Sequence, residues 1–143
     1  MTDSTTRASL ELLERHLALV LEDPEAWYAL FDENVVVEFP FAVGTSVPPR
    51  LVGKQAMREY FGRAGKLFGP FTFSDVRVHA SLDPGVVIAE VHGSSIARPT
   101  GKAYEQDYVM VLTAEDGKIV RYREYWNPVV AHEAFALEQE GGR

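Results

Sequence analysis

One carboxylate breaks an otherwise apolar pattern near the end of the chain. Strand alternation between Lys118 and Asn127 puts Val120, Tyr122, Glu124 and Trp126 on one face and Arg121, Arg123 and Tyr125 on the other. The arginines belong in solvent, so the first set faces inward and carries Glu124 with it. An ionised carboxylate in an apolar wall is costly unless it is paired. Such a group acquires a raised pKa or a hydrogen-bond donor, which is how general acids and bases are prepared. Proton transfer in a pocket is the chemistry this pattern suggests, with Tyr122 and Trp126 as aromatic contacts for a ligand. Other chemistry-bearing residues are harder to place. Glu90 and His92 alternate with Val87, Ala89 and Val91, and periodicity turns the apolar set inward. Asp107 shares a face with Val109 and Val111 opposite Tyr108, Met110 and Leu112. Both faces are apolar, so one is expected to meet the pocket and the other a partner subunit. His16 lies at the margin of a helical stripe, four residues from both Leu12 and Val20. Glu90 and His92 lack a third ligand at a known metal spacing, so no metal site is expected. His79 and His132 are expected on a strand's outer face and in a terminal turn.

The elements that must position these groups are legible from punctuation and period. Residues 6–21 place Leu10, Leu13, Leu17 and Val20 on one side of a helix. Asp23-Pro24 reads as an N-cap and first helical position, opening a second helix through Phe31. Val35 to Phe39 reads as a strand stopped by Pro40. Residues 54–67 form a third helix presenting Met57, Tyr60, Phe61 and Ala64. Four strands follow near 71–81, 85–97, 104–115 and 118–127, joined by Asp83-Pro84-Gly85, Pro99-Thr100-Gly101 and Asp116-Gly117. Three successive hairpins force an antiparallel meander. Residues 129–137 add a helical turn or two before a Gly-Gly tail expected to fray. The class is α+β: helices on one face of a curved sheet whose concave side encloses a pocket.

Bulk properties narrow the function. The 143 residues fit one domain over 1–143, with a core at about 6–128 and a tail at 129–143. A net charge of −7, with no run of Lys or Arg, argues against nucleic acid or anionic lipid as partner. Residues 1–9 are polar and no apolar run approaches spanning length, so a cytoplasmic, membrane-free protein is expected. Without cysteine there is no thiolate nucleophile, disulfide or Cys-ligated zinc. No glycine-rich phosphate loop occurs, and Gly93-Ser94-Ser95 falls mid-strand without the strand–turn–helix context of a nucleophile elbow.

The segment Arg123-Glu124-Tyr125-Trp126-Asn127-Pro128, preceded by Asp116-Gly117-Lys118-Ile119, resembles the closing strand of SnoaL-like proteins in the nuclear transport factor 2-like superfamily. The similarity continues through Ala29-Leu30-Phe31, Gly53 with Tyr60-Phe61, and Tyr104 to Tyr108. The ending is also similar to the phenazine biosynthesis A/B proteins. The resemblance implies a cone-shaped α+β barrel in which three N-terminal helices pack in a curved antiparallel sheet, and a homodimer through the sheet's outer face. It implies neither a cofactor nor one particular reaction, because the superfamily spans ketosteroid isomerase, polyketide cyclases, limonene epoxide hydrolase and non-enzymes.

Residue by residue, Asp107 falls where ketosteroid isomerases keep a protonated acid that binds the oxyanion. His16 falls about where their first-helix tyrosine sits, and Phe39 takes the place of their catalytic base. Glu124 matches the pocket glutamate of the phenazine proteins, whose third-helix histidine is Tyr60 here. The same register turns Glu90 and His92 toward the pocket, against the periodicity. The expectation is a cofactor-independent isomerase, cyclase or dehydratase acting on an apolar, ring-bearing metabolite of bacterial secondary metabolism. Glu124, Asp107 and His16 would be catalytic. Trp126, Tyr122, Phe39, Tyr60, Phe61, Glu90 and His92 would contact substrate. The alternatives are a non-catalytic binder, an epoxide hydrolase using Arg98 or Arg123, or a dimerisation module with a filled core.

Overall fold

The computed structural model describes residues 3–137. Asp3 opens α1 (Ser4–Glu22), its carboxylate accepting from the Thr5 amide at 2.7 Å and from that of Thr6. Asp23 ends α1 and caps α2 (Pro24–Tyr28) by accepting from the Ala26 amide. The second helix is shorter than its sequence suggests. The chain turns at Ala29-Leu30, and Phe31 opens β1 (Phe31–Glu38) instead. After a 3-10 turn at Pro40–Ala42 comes β2 (Arg50–Val52), a three-residue strand too short to leave a periodic signal. The third helix, α3 (Lys54–Ala64), ends in a 3-10 turn at Gly65–Leu67.

Four long strands follow: β3 (Thr72–Ala80), β4 (Val86–Ala97), β5 (Lys102–Glu115) and β6 (Lys118–Tyr125). Asp116 and Gly117 both take positive φ, 51° and 76°, as the tight β5–β6 hairpin requires. A fourth helix, α4 (Pro128–Phe135), closes the described chain, and the Gly-Gly tail lies outside the described residues.

The six strands form one curved, unclosed sheet in the order β2-β1-β6-β5-β4-β3. It is not wholly antiparallel. Hairpins fix the direction of β3 through β6, but β1 reaches β6 without a tight turn and pairs with it in parallel, Val37 beside Tyr122. The helices pack on the concave face, where Leu13, Phe31, Val35, Val37, Met57, Leu112 and Ile119 are almost fully buried. The meander sets the inward phase of each long strand. On β4 the buried set is Val87, Ala89, Val91, Ser95 and Ala97; on β5 it is Tyr104, Gln106, Tyr108, Met110 and Leu112. Gly93 also faces inward. A Cβ there would lie 2.6 Å from a Phe71 ring carbon and 2.8 Å from one of Tyr108, so only glycine lets both rings lie against β4.

Candidate functional site

The concave face and the helices enclose a cavity of about 840 Å³, within the range that takes a drug-sized molecule. The walls are aromatic. α2 supplies Trp27 and Tyr28, α3 supplies Tyr60 and Phe61, and the sheet with its approach supplies Phe68, Phe71, Phe73, Tyr104, Tyr108 and Trp126. α4 covers one end with Phe135, which packs edge-on to Phe68. That helix is tied down by Thr100, whose hydroxyl donates to the Ala134 carbonyl, and by Lys102, whose ammonium donates to the carbonyls of Glu133 and Ala136. Lining residues that are also solvent-exposed, among them Leu21, Thr45, Ser46, Leu67 and His132, mark the mouth. Among the described residues no Lys, Arg or Asp lines the cavity.

Among the described residues Glu124 is the one carboxylate that lines it. The β5–β6 register sets it opposite Met110, with Tyr122 opposite Leu112, which turns both toward the interior. The Tyr122 hydroxyl donates to Oε2 of Glu124 at 2.6 Å. No donor among the described residues reaches Oε1, and the small area that Glu124 exposes opens onto the cavity. Burial pushes its carboxyl up to about 7, partly offset by the Tyr122 hydrogen bond. A carboxyl poised near neutrality can both take and give a proton.

Four tyrosines surround this group. Tyr60, Tyr104, Tyr108 and Tyr122 are all held above the ordinary phenol range, chiefly by burial and also by the nearby Glu124 charge. Their hydroxyls therefore stay protonated and serve as donors. Tyr104 and Tyr108 meet hydroxyl to hydroxyl at 3.1 Å. Behind them lies Gln106, almost fully buried, whose Oε1 accepts from the Asn127 amide at 2.9 Å. Its Nε2 donates to the Asn127 carbonyl at 3.0 Å and to the Tyr104 hydroxyl at 3.2 Å. This clamp joins β5 to the Asn127-Pro128 end of β6, and Asn127 in turn caps α4.

The residues picked out in the sequence divide into three groups. Glu124, Trp126, Tyr60 and Phe61 line the cavity. Tyr122, Phe39 and His16 stand behind its wall. Phe39 packs on Tyr60, Phe61 and Trp126. His16 is fully buried and both its ring nitrogens are engaged. Nδ1 accepts from the Trp27 indole at 2.8 Å, so Nε2 carries the hydrogen and points at the Met110 sulfur at 3.4 Å. Burial depresses its pKa to about 3, so it is a neutral packing residue against Tyr122 and not a donor to ligand.

The third group is a correction. Asp107, Glu90 and His92 lie on the outer face of the sheet. The phase that buries Val91 and Tyr108 necessarily turns His92 and Asp107 outward, so the periodicity is right for β4 and the family register is not. There His92 bridges Asp107 at 2.8 Å and Glu105 at 2.7 Å, and Glu90 meets His79 at 2.7 Å. Arg123 is also outside, donating to Glu38, while Arg98 donates to the Phe68 carbonyl. Neither Arg98 nor Arg123 lines the cavity, so an epoxide hydrolase built on either has no arginine there. Among the described residues no three His, Cys, Asp or Glu side chains group as metal ligands.

Comparison with known proteins agrees with this architecture. The family model described as a SnoaL-like domain matches residues 10–122. The chain belongs to that family. This SnoaL-like protein is 42% identical over 126 residues to the uncharacterized protein YesE of Bacillus subtilis, covering 87% of the chain and 85% of YesE. It is 36% identical over 124 residues to an uncharacterized PhzA/B-like protein of Pseudomonas aeruginosa, covering 85% and 80%. Among solved structures, a Bacillus subtilis protein provisionally assigned as an isomerase superposes with a TM-score of 0.84 at 37% identity, over 96% of this chain and all of that one. The phenazine biosynthesis-related protein PhzB2 of Pseudomonas aeruginosa superposes at 0.79 with 21% identity, over 97% and 95%, which speaks for the fold alone. The family match stops two residues before Glu124, so the site rests on this chain's own geometry. Sequence reasoning missed Gln106, treated Tyr104 only as a point of family similarity, and left Tyr108 on one of two equally plausible inward faces. Their common spacing of two along β5 was the available signal.

Proposed function

We propose that this SnoaL-like protein is a cofactor-independent acid/base enzyme, an isomerase, cyclase or dehydratase acting on a mostly apolar, ring-bearing metabolite. The single observation that carries the proposal is Glu124: a carboxyl raised to about 7, with one oxygen held by Tyr122 and the other turned into an aromatic cavity. In the ionised state Oε1 abstracts a proton from carbon or oxygen of the bound ligand. In the protonated state it returns that proton at a second position, and the Tyr122 hydrogen bond stabilises the carboxylate before the first transfer and after the second. Proton transfers of this kind need no other reactant. The aromatic walls supply ring contacts and exclude water.

The test is Glu124→Gln. The amide keeps the shape and still accepts from Tyr122 but cannot exchange protons. Against metabolite fractions that the wild type turns over, the variant should bind and not convert. Full turnover by the variant would end the assignment.

A homodimer through the outer sheet face is the proposed assembly. Ile96 and Val109, 45% and 38% exposed, offer apolar surface on that face beside the charged residues around His92. Sedimentation or light scattering should give twice the 16.0 kDa chain mass; a monomer would exclude it.

A further inference from the structure

The two ends of α4 are attached to the rest of the molecule in different ways. The helix presents Pro128, Ala131, His132, Phe135 and Ala136 to the cavity, positions three and four apart that share one face. Away from that face it is open to solvent, with Val129 61% exposed. Displacing α4 therefore removes one wall of the cavity along the whole helix. With eight residues it has too few internal hydrogen bonds to stand by itself, so its position follows its attachments.

The start of α4 is anchored. The β5–β6 ladder reaches the Val109–Tyr125 pair, and beyond it Gln106 takes over. Its carboxamide accepts from the Asn127 amide and donates to the Asn127 carbonyl, as a residue of a neighbouring strand would. Gln106 is almost fully buried, so these bonds are sheltered from water. Asn127 then accepts from the Val129 amide, and Pro128 fixes the first helical residue. The far end is held from the β4–β5 hairpin. Carbonyls at the end of a helix have no partner within it, and here they accept from Thr100 and Lys102. The Lys102 ammonium lies 3.3 Å from the Glu133 carbonyl and 2.6 Å from that of Ala136, where the partial negative charge of the helix end favours it. Lys102 is only half-buried, so water competes for both bonds. Phe135 completes the closure, edge-on to Phe68 at 5.3 Å between ring centres and beside Tyr104.

We infer that α4 is the gate of the cavity: it swings on the Gln106–Asn127 anchor, and the bonds from Lys102 to its last carbonyls are the latch that a ligand breaks on entering and leaving. One end welded by buried bonds and the other tied by bonds open to water let the helix lift from its Phe135 end without loss of the sheet or of the other helices. The gate is independent of the Glu124 chemistry, since it concerns the passage of an uncharged aromatic ligand and not its conversion.

The test is stopped-flow binding of N-phenyl-1-naphthylamine, an uncharged aromatic probe that fluoresces on leaving water, to the full chain and to Lys102→Met. Methionine keeps the apolar stem and removes the donors. Loosening the latch weakens the closed gate equally with and without the probe. Association and dissociation rate constants should therefore both rise about threefold to tenfold, the net worth of a hydrogen bond, while Kd stays within about twofold of wild type. Lys102→Arg restores a donor and should bring both rates back toward wild type. Lys118→Met removes an ammonium-to-carbonyl bond elsewhere, at Ala29, and should change neither rate. The inference is overturned if the probe does not bind, if Lys102→Met leaves both rates unchanged, or if Lys118→Met accelerates them equally. It is overturned as well if only dissociation quickens and Kd rises with it, which would make α4 a fixed wall that touches the ligand. No proton moves in this experiment, so its failure leaves the Glu124 assignment standing, and full turnover by Glu124→Gln leaves the gate standing.

Discussion

Glu124 should make the fold less stable as pH rises, and Glu124→Gln should remove that dependence. A carboxyl at 4.5 in the unfolded chain and about 7 in the folded one binds more protons when folded between those two values. Stability gained from the buried, protonated acid is therefore fully present below pH 4.5 and is lost as pH climbs through 7. At about 1.36 kcal/mol for each pKa step, the whole loss is about 3 kcal/mol, a ceiling because water in the cavity solvates part of the charge. Glutamine mimics the protonated form and keeps an acceptor for Tyr122. Near pH 4.5 the two proteins should unfold at similar urea concentrations. By pH 8.5 the variant should be more stable by up to about 3 kcal/mol, a midpoint about 1–2 M higher in urea. Titration of every other group, including His92 on the outer face, is common to both proteins and drops out of the difference. A difference that stayed constant from pH 4.5 to 8.5 would mean that Glu124 is solvated like a surface carboxylate, and the acid/base assignment would lose its foundation.

Gly93→Ala should cost about 1–3 kcal/mol in thermal or urea unfolding, because the new methyl must displace the Phe71 and Tyr108 rings. Asp107→Asn, by contrast, should leave turnover of the metabolite fractions that the wild type converts unchanged within error, since Asp107 is on the far side of the sheet. His92, raised by its bonds to Glu105 and Asp107, gives stability present below pH 6.5 and lost as pH rises through its folded pKa. His92→Gln should therefore differ from wild type most in mild acid, measured by urea unfolding, with no change in ligand affinity.

Helix and strand placement follows from local chemistry: Asp3 and Asp23 cap helices, Asp116-Gly117 turns a hairpin, and alternation in 118–127 marks Glu124 as the odd residue of an inward face. Because side-chain direction in a strand has period two, one misplaced carboxylate is visible without a structure. Where both faces of a strand are apolar, that signal vanishes. Asp107 could not be phased from β5, and the family register drew it to the wrong side, as it did His92, which periodicity along β4 had turned outward. Only pairing with β4 and β6, which locks Met110 opposite both Ala89 and Glu124, decides it. The parallel β1–β6 contact was equally hidden, since no short turn dictates it. So was the inertness of His16. Its residue type allows a donor role, but whether the ring can charge depends on burial and on the Trp27 hydrogen bond, both contributed by residues distant in sequence. Local sequence thus determined which faces exist and which residue violates its face. Long-range packing decided which groups share the cavity, because hydrogen-bond direction and desolvation belong to the assembled neighbourhood and to no single segment.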